Sequence, residues 1–190
     1  MNGIVQMDRS ISLWINGIPS AGSDLFWWAL SDVGFWIPAY LAILALLIWK
    51  LGWKRGLTIA LTVVLTVVCV DQLANLVKSG VARWRPCYDE WMVAGGIRLP
   101  YGQAGSKFGF FSAHAGNSFG FATASYLGLK WRLPGRTARF YGYGVYLWAT
   151  LVSVSRIIMG AHFLGDITVG ALVGVGVGAA WAWAGRRLVR

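Results

Sequence analysis

Five apolar runs, near residues 33–49, 57–77, 113–130, 140–158 and 163–185, alternate with short polar gaps that hold most of the basic residues. A helix needs about 20 apolar residues to cross a hydrocarbon layer of about 30 Å. Inside that layer every backbone N–H and C=O must be satisfied within its own segment or by a closed barrel, which makes such runs helical. With 57% hydrophobic and 13% charged residues, an ordinary water-soluble domain is excluded. The expected fold is all-α: an integral membrane helical bundle of five to six transmembrane helices. The five runs leave no room for a second domain, so residues 1–190 form one unit, with 1–32 an interfacial segment and 33–185 the bundle.

The interfacial segment has its own periodicity. Ile4, Met7, Ile11, Trp14, Ile15 and Ile18 recur at helical spacing, with Gln6, Asp8, Arg9, Ser12 and Asn16 largely opposite. This is an amphipathic helix expected to lie on the membrane. Asp24 is expected to cap a second short helix carrying Phe26, Trp27 and Trp28; a sixth span would have to be built from these two pieces. Twelve tryptophans suit long interfacial rims. Cys69 lies within an apolar run and Cys87 in a polar loop, so no disulfide is expected between them. The first residues lack the basic start and compact apolar core of a cleaved signal peptide.

The net charge of +10 is distributed by topology. Lys50, Lys54 and Arg55, then Lys130, Arg132, Arg136 and Arg139, then Arg186, Arg187 and Arg190 fall on one side if the spans alternate. The positive-inside rule places them in the cytoplasm. A nucleic-acid partner would want the basic residues gathered on a soluble face, and no soluble module remains to present one. The partner is instead the lipid bilayer. Gly170, Gly174 and Gly178, four residues apart, form a small-residue stripe that lets helices approach closely. It is read as packing within the bundle, and the oligomeric state is left open.

Three clusters at the opposite end carry the chemistry. Lys78 closes the second run and Arg85 precedes Pro86; read alone, Lys78, Arg83 and Arg85 would be a snorkelling basic rim. Asp71 and Asn75 sit on the same helical face as Lys78. A carboxylate within a span costs roughly 2.5–3.5 kcal/mol on insertion scales, so Asp71 is expected to pair with a cation or bond another helix in a supporting role. Ser112 and His114 open the third run, where free N–H groups and the helix dipole favour phosphate oxygens. Arg156 closes the fourth run, and His162 and Asp166, four apart, open the fifth, so a carboxylate can hold one ring N–H and leave the other nitrogen free to attack. The plainer alternative for this last cluster is a structural ion pair between Arg156 and Asp166.

Lys78 with six residues between it and Arg85-Pro86, then Ser112-Ala113-His114, then Ser155-Arg156 with five residues between it and His162 and three between His162 and Asp166, resemble the type 2 phosphatidic acid phosphatase superfamily, which also contains the vanadium-dependent haloperoxidases. One departure is Phe111-Ser112-Ala113-His114, where the family usually has Pro-Ser-Gly-His. The resemblance implies a metal-independent phosphatase without a cofactor. In it His162 is the nucleophile and forms a phosphohistidine, Asp166 orients it, His114 is the acid and base, and Lys78, Arg85, Ser112 and Arg156 hold the phosphate. It also implies a membrane lipid phosphate as substrate, undecaprenyl diphosphate first. Lipid A, phosphatidylglycerophosphate and phosphatidic acid are the alternatives. The location implied is the bacterial inner membrane, multi-pass, with the site facing outward. Trp84, Trp91, Phe108, Phe110 and Phe111 are expected to border the lipid's way in. A non-enzymatic anion or lipid transporter would explain the cations but not the Arg156–His162–Asp166 spacing.

Overall fold

The computed structural model describes residues 3–102 and 106–188, and its secondary structure there is helical apart from one isolated bridge. Arg190, counted above among the cytoplasmic charges, lies outside the described residues. The main helices are α1 (Gly3–Gly17), α2 (Asp24–Ser31), α3 (Val33–Leu51), α4 (Trp53–Val81), α5 (Glu90–Ala94), α6 (Ala113–Arg132), α7 (Arg136–Ile158) and α8 (Leu164–Leu188). Each expected span is present as one helix, α3, α4, α6, α7 and α8 in turn.

Helices α3, α4 and α8 are long and apolar enough to cross a membrane by length and composition. Helices α6 and α7, of 20 and 23 residues, have the length but are richer in small and polar side chains. Their place in the bundle explains this: α6 packs against α4, α7 and α8 together. It therefore needs little lipid-facing surface and can fill its length with Ala, Gly and Ser. The glycine stripe of α8 is what lets α6 approach. A Cβ on Gly174 would stand 2.1 Å from the Gly116 carbonyl oxygen, and one on Gly170 would stand 2.4 Å from that of Ser112. Large apolar side chains such as Phe35, Leu41, Leu61, Leu76, Leu147 and Leu172 remain exposed on the outer helices, as a bundle in lipid requires.

The turn between α3 and α4 is made by Gly52 at φ +80°, and α4 then runs for 29 residues, about 43 Å at 1.5 Å per residue. Arg55, Arg132 and Arg186 gather at one end of the bundle, around a shared crevice with Trp131. The three motif clusters lie at the other.

Helix α1 is present but turned inside out with respect to the usual surface helix. Its polar stripe faces the protein: Ser12 and Asn16 are fully buried, while Ile4, Met7 and Trp14, and Ile18 just beyond the helix, are exposed. At 15 residues it measures about 22 Å, and α2, with 8, about 12 Å, so neither is long enough for a sixth span. Asp24 is the first residue of α2 and not its cap; both its carboxylate oxygens accept from Arg98 at 2.9 Å. Both cysteines are free, as expected.

Candidate active site

Arg85 is placed by a short extended pairing. Its N–H donates to the Lys107 carbonyl, and the Gly109 N–H donates to that of Arg83, on either side of the Trp84–Phe108 bridge. Pro86 then forces the chain into a single 3-10 turn. The guanidinium points inward, and the residue is only 9% exposed. It donates from Nη2 to Ser106 Oγ at 3.0 Å and from Nη1 to the Ala161 carbonyl at 3.3 Å, and Nη1 also lies 3.2 Å from His162 Nε2.

That last contact settles the imidazole. A guanidinium can only donate, so Nε2 must be the acceptor and the ring proton sits on Nδ1. Nδ1 faces Asp166 Oδ2 at 3.5 Å, beyond ordinary hydrogen-bond length and a charge pair only when the ring is protonated. Asp166 is fully buried at the start of α8. Its Oδ2 accepts from the Phe163 N–H at 3.0 Å, its Oδ1 accepts from Arg83 Nη1 at 2.8 Å, and its carbonyl accepts from the Ser112 N–H at 3.1 Å. His162 itself lies in the turn between α7 and α8, where Gly160 at φ +68° lets the chain reverse. Burial pushes its pKa down to about 4; Asp166 opposes this, while Arg85 and Arg156 reinforce it. The imidazole is therefore neutral at physiological pH, with its lone pair directed at Arg85.

Ser112 is buried and caps α6, its Oγ accepting from the Ala115 N–H. His114, two residues further on, has no hydrogen-bond partner among the described residues and lies within electrostatic range of Arg156, His162, Arg85 and Lys78. Arg156, at the end of α7, donates from Nη1 to Ser31 Oγ on α2, and its Nε has no partner. It does not pair with Asp166, which rules out the structural ion pair. Asp71 accepts from Asn117 Nδ2 on α6 at 2.9 Å, so it bonds another helix, one of its two expected fates. Asn75 is exposed and takes no part in this network.

Seven residues thus converge: Lys78, Arg85, Ser112, His114, Arg156, His162 and Asp166. Below them an apolar cavity of about 600 Å³ opens between α3, α4, α6 and α7, walled by residues such as Tyr40, Leu44, Val63, Val67 and Phe121. His114, Asp71 and Asn117 line its polar end. None of Trp84, Trp91, Phe108, Phe110 and Phe111 lines it, and Phe111 is buried against Val70 and Ala74 instead. Sequence reasoning missed Arg83, Asp8, Ser31 and Asn117. Arg83 was legible in principle, because residues two apart in an extended segment share a face.

The PAP2 superfamily model matches residues 52–190. The chain belongs to the PAP2 superfamily. Among curated relatives, the lipid A 4'-phosphatase of Bacteroides thetaiotaomicron is 34% identical over 88% of this chain and 72% of its own length. That of Porphyromonas gingivalis is 31% identical over 94% of this chain and 72% of its own. Among solved structures, the fold is similar to a PAP2-type phosphatidylglycerolphosphate phosphatase from Bacillus subtilis. The TM-score is 0.76 at 19% identity, covering 100% of this chain and 89% of that one. LpxE of Aquifex aeolicus has a TM-score of 0.64 at 20% identity, covering 90% and 92%. The chain is a PAP2-type membrane phosphatase, a hydrolase. Both curated relatives act, by name, on lipid A, one of the alternatives named from the sequence, and not on undecaprenyl diphosphate.

Proposed function

We propose that this PAP2 protein removes a phosphate monoester from a lipid A-type glycolipid, working from the outer leaflet of a bacterial inner membrane. The observation that carries the reading is the cluster of cations and two imidazoles at the polar end of a lipid-sized apolar cavity. Both curated relatives named above support the choice of lipid. Acyl chains would occupy the cavity and the phosphate would sit among Lys78, Arg85, Ser112 and Arg156.

Chemistry then follows from the protonation pattern. The incoming phosphate draws the Arg85 N–H groups onto its own oxygens, which frees the His162 Nε2 lone pair. Nε2 attacks phosphorus, and the P–O bond to the lipid breaks. His114, which takes up a proton as the negative charge of the bound phosphate offsets the surrounding cations, gives that proton to the leaving oxygen, while Asp166 stabilises the charge on the His162 ring. His114, now neutral, takes a proton from water as that water attacks the phosphohistidine. Inorganic phosphate leaves and both imidazoles return to their starting states. Phosphoryl transfer rests mainly on positioning and charge stabilisation, which this cluster supplies without a further group.

The test is a panel of lipid A, phosphatidylglycerophosphate, phosphatidic acid and undecaprenyl diphosphate, ranked by kcat/KM for phosphate release from purified protein in detergent. Lipid A ranking first supports the reading. Undecaprenyl diphosphate ranking first overturns the choice of lipid, and no release from any of them overturns the activity.

A further inference from the structure

The buried polar stripe of α1 ends on the turn that carries the nucleophile. Asp8 Oδ1 accepts from the Gly165 N–H at 2.8 Å, and Ser12 Oγ accepts from the Leu164 N–H at 2.9 Å, so α1 caps α8. Asn16 Nδ2 donates to the carbonyls of Ile157 and Ile158 at 3.2 and 2.8 Å, at the other side of the turn. Arg83 joins the two acids, donating from Nη2 to Asp8 Oδ2 at 2.6 Å and from Nη1 to Asp166 Oδ1 at 2.8 Å. Its guanidinium is held in place over the Phe163 ring, 4.2 Å from the centroid.

We propose that Arg83, shared between Asp8 and Asp166, is a positioning residue for the His162 imidazole, and that α1 thereby forms part of the active site. Resting on His162 as nucleophile, the inference does not depend on which lipid is cleaved. A fork on one guanidinium divides a single positive charge between two carboxylates. Asp8 therefore sets how much of that charge Asp166 receives, and so how strongly Asp166 favours a charged imidazole. The other groups that act on His162 are Arg85 from the segment before Pro86, Arg156 from α7 and His114 from α6. From α4, Lys78 acts on Arg85 and His114.

The two partners should then move the nucleophile in opposite directions. Arg83→Met leaves Asp166 uncompensated, which raises the His162 pKa. Asp8→Asn leaves Arg83 wholly to Asp166 and removes a nearby negative charge, which lowers it, while the amide oxygen still caps Gly165. The chain has only two histidines, so in untagged protein carrying His114→Gln the remaining imidazole can be titrated alone by 15N NMR. Expected shifts are about half a pH unit or more in those two directions, with Arg83→Lys close to the parent. In the otherwise wild-type enzyme, Arg83→Met should lower kcat by about ten- to a hundredfold with little change in KM, by analogy with other groups that orient a catalytic histidine. Unmoved titrations, or shifts of the same sign, overturn the proposal. Should Arg83→Met fail to fold, Asp8→Asn and Arg83→Lys still decide it: the first must shift downward and the second must not. Failure of the wild type to cleave lipid A bears on the substrate alone.

Discussion

His162 faces two charges of opposite sign, one on each ring nitrogen, and that asymmetry is what the proposed mechanism uses. Because burial and the neighbouring cations favour the neutral ring, the acid limb of kcat/KM should fall near pH 4, well below the 6.5 of free imidazole. A pH–rate profile checks this; an acid limb at 6 or above would mean that the reacting group is another one. His162→Ala should lower turnover by roughly a thousandfold or more, measured as phosphate release, since no second nucleophile stands at that position. At this scale the sequence was informative where residue type carries chemistry and silent where a role depends on a partner. Histidines, Asp166 and motif cations could be named from spacing. Arg83 read as a rim cation because its two acids come from α1 and α8, far apart in the chain. Asn75 shares a helical face with Asp71 by spacing, yet the structure leaves it exposed, since periodicity fixes an angle on a helix and not what stands opposite.

Helices were the most legible level, because a bilayer imposes their length. The runs predicted all five long helices, and the ends moved where local chemistry intervened: α4 continues beyond residue 77 to Val81 and stops at Ala82 in the left-handed region. The orientation of α1 was not legible. Amphipathicity shows that a helix has two faces, but in lipid the apolar face can be the outer one and the polar face the inner one. Asn16→Ala tests that orientation. It removes bonds to the carbonyls of Arg98, Ile157 and Ile158 and leaves the Arg98 N–H, now bonded to Asn16 Oδ1 at 2.7 Å, without its partner. Thermal unfolding in detergent should show a loss of about 2–3 kcal/mol; an unchanged midpoint would place α1 elsewhere. Gly174→Leu is expected to be worse, since the α6 backbone stands where the first side-chain atom would go.

Taken whole, the molecule joins two environments: an apolar cavity within the bundle and a cationic cluster at one end of it. Narrowing the cavity with Val67→Trp should raise KM for a long-chain lipid phosphate by about tenfold, a little over 1 kcal/mol of binding, and barely alter hydrolysis of a short, water-soluble phosphate ester. Equal effects on both substrates would mean that the chains bind elsewhere. The aromatic residues near 84–111 suggested a different way in from sequence, because aromatic content marks an interface without saying which helices part beneath it. What joins cavity and cluster is the imidazole of His114, which lines the first and faces the second, and the most direct test is to catch the phosphoryl group on His162. Purified protein, mixed with a lipid phosphate it hydrolyses and quenched within one turnover, should carry one phosphoryl group on His162 by mass spectrometry, and none in His162→Ala. A label on His114, or full turnover by His162→Ala, would contradict the account.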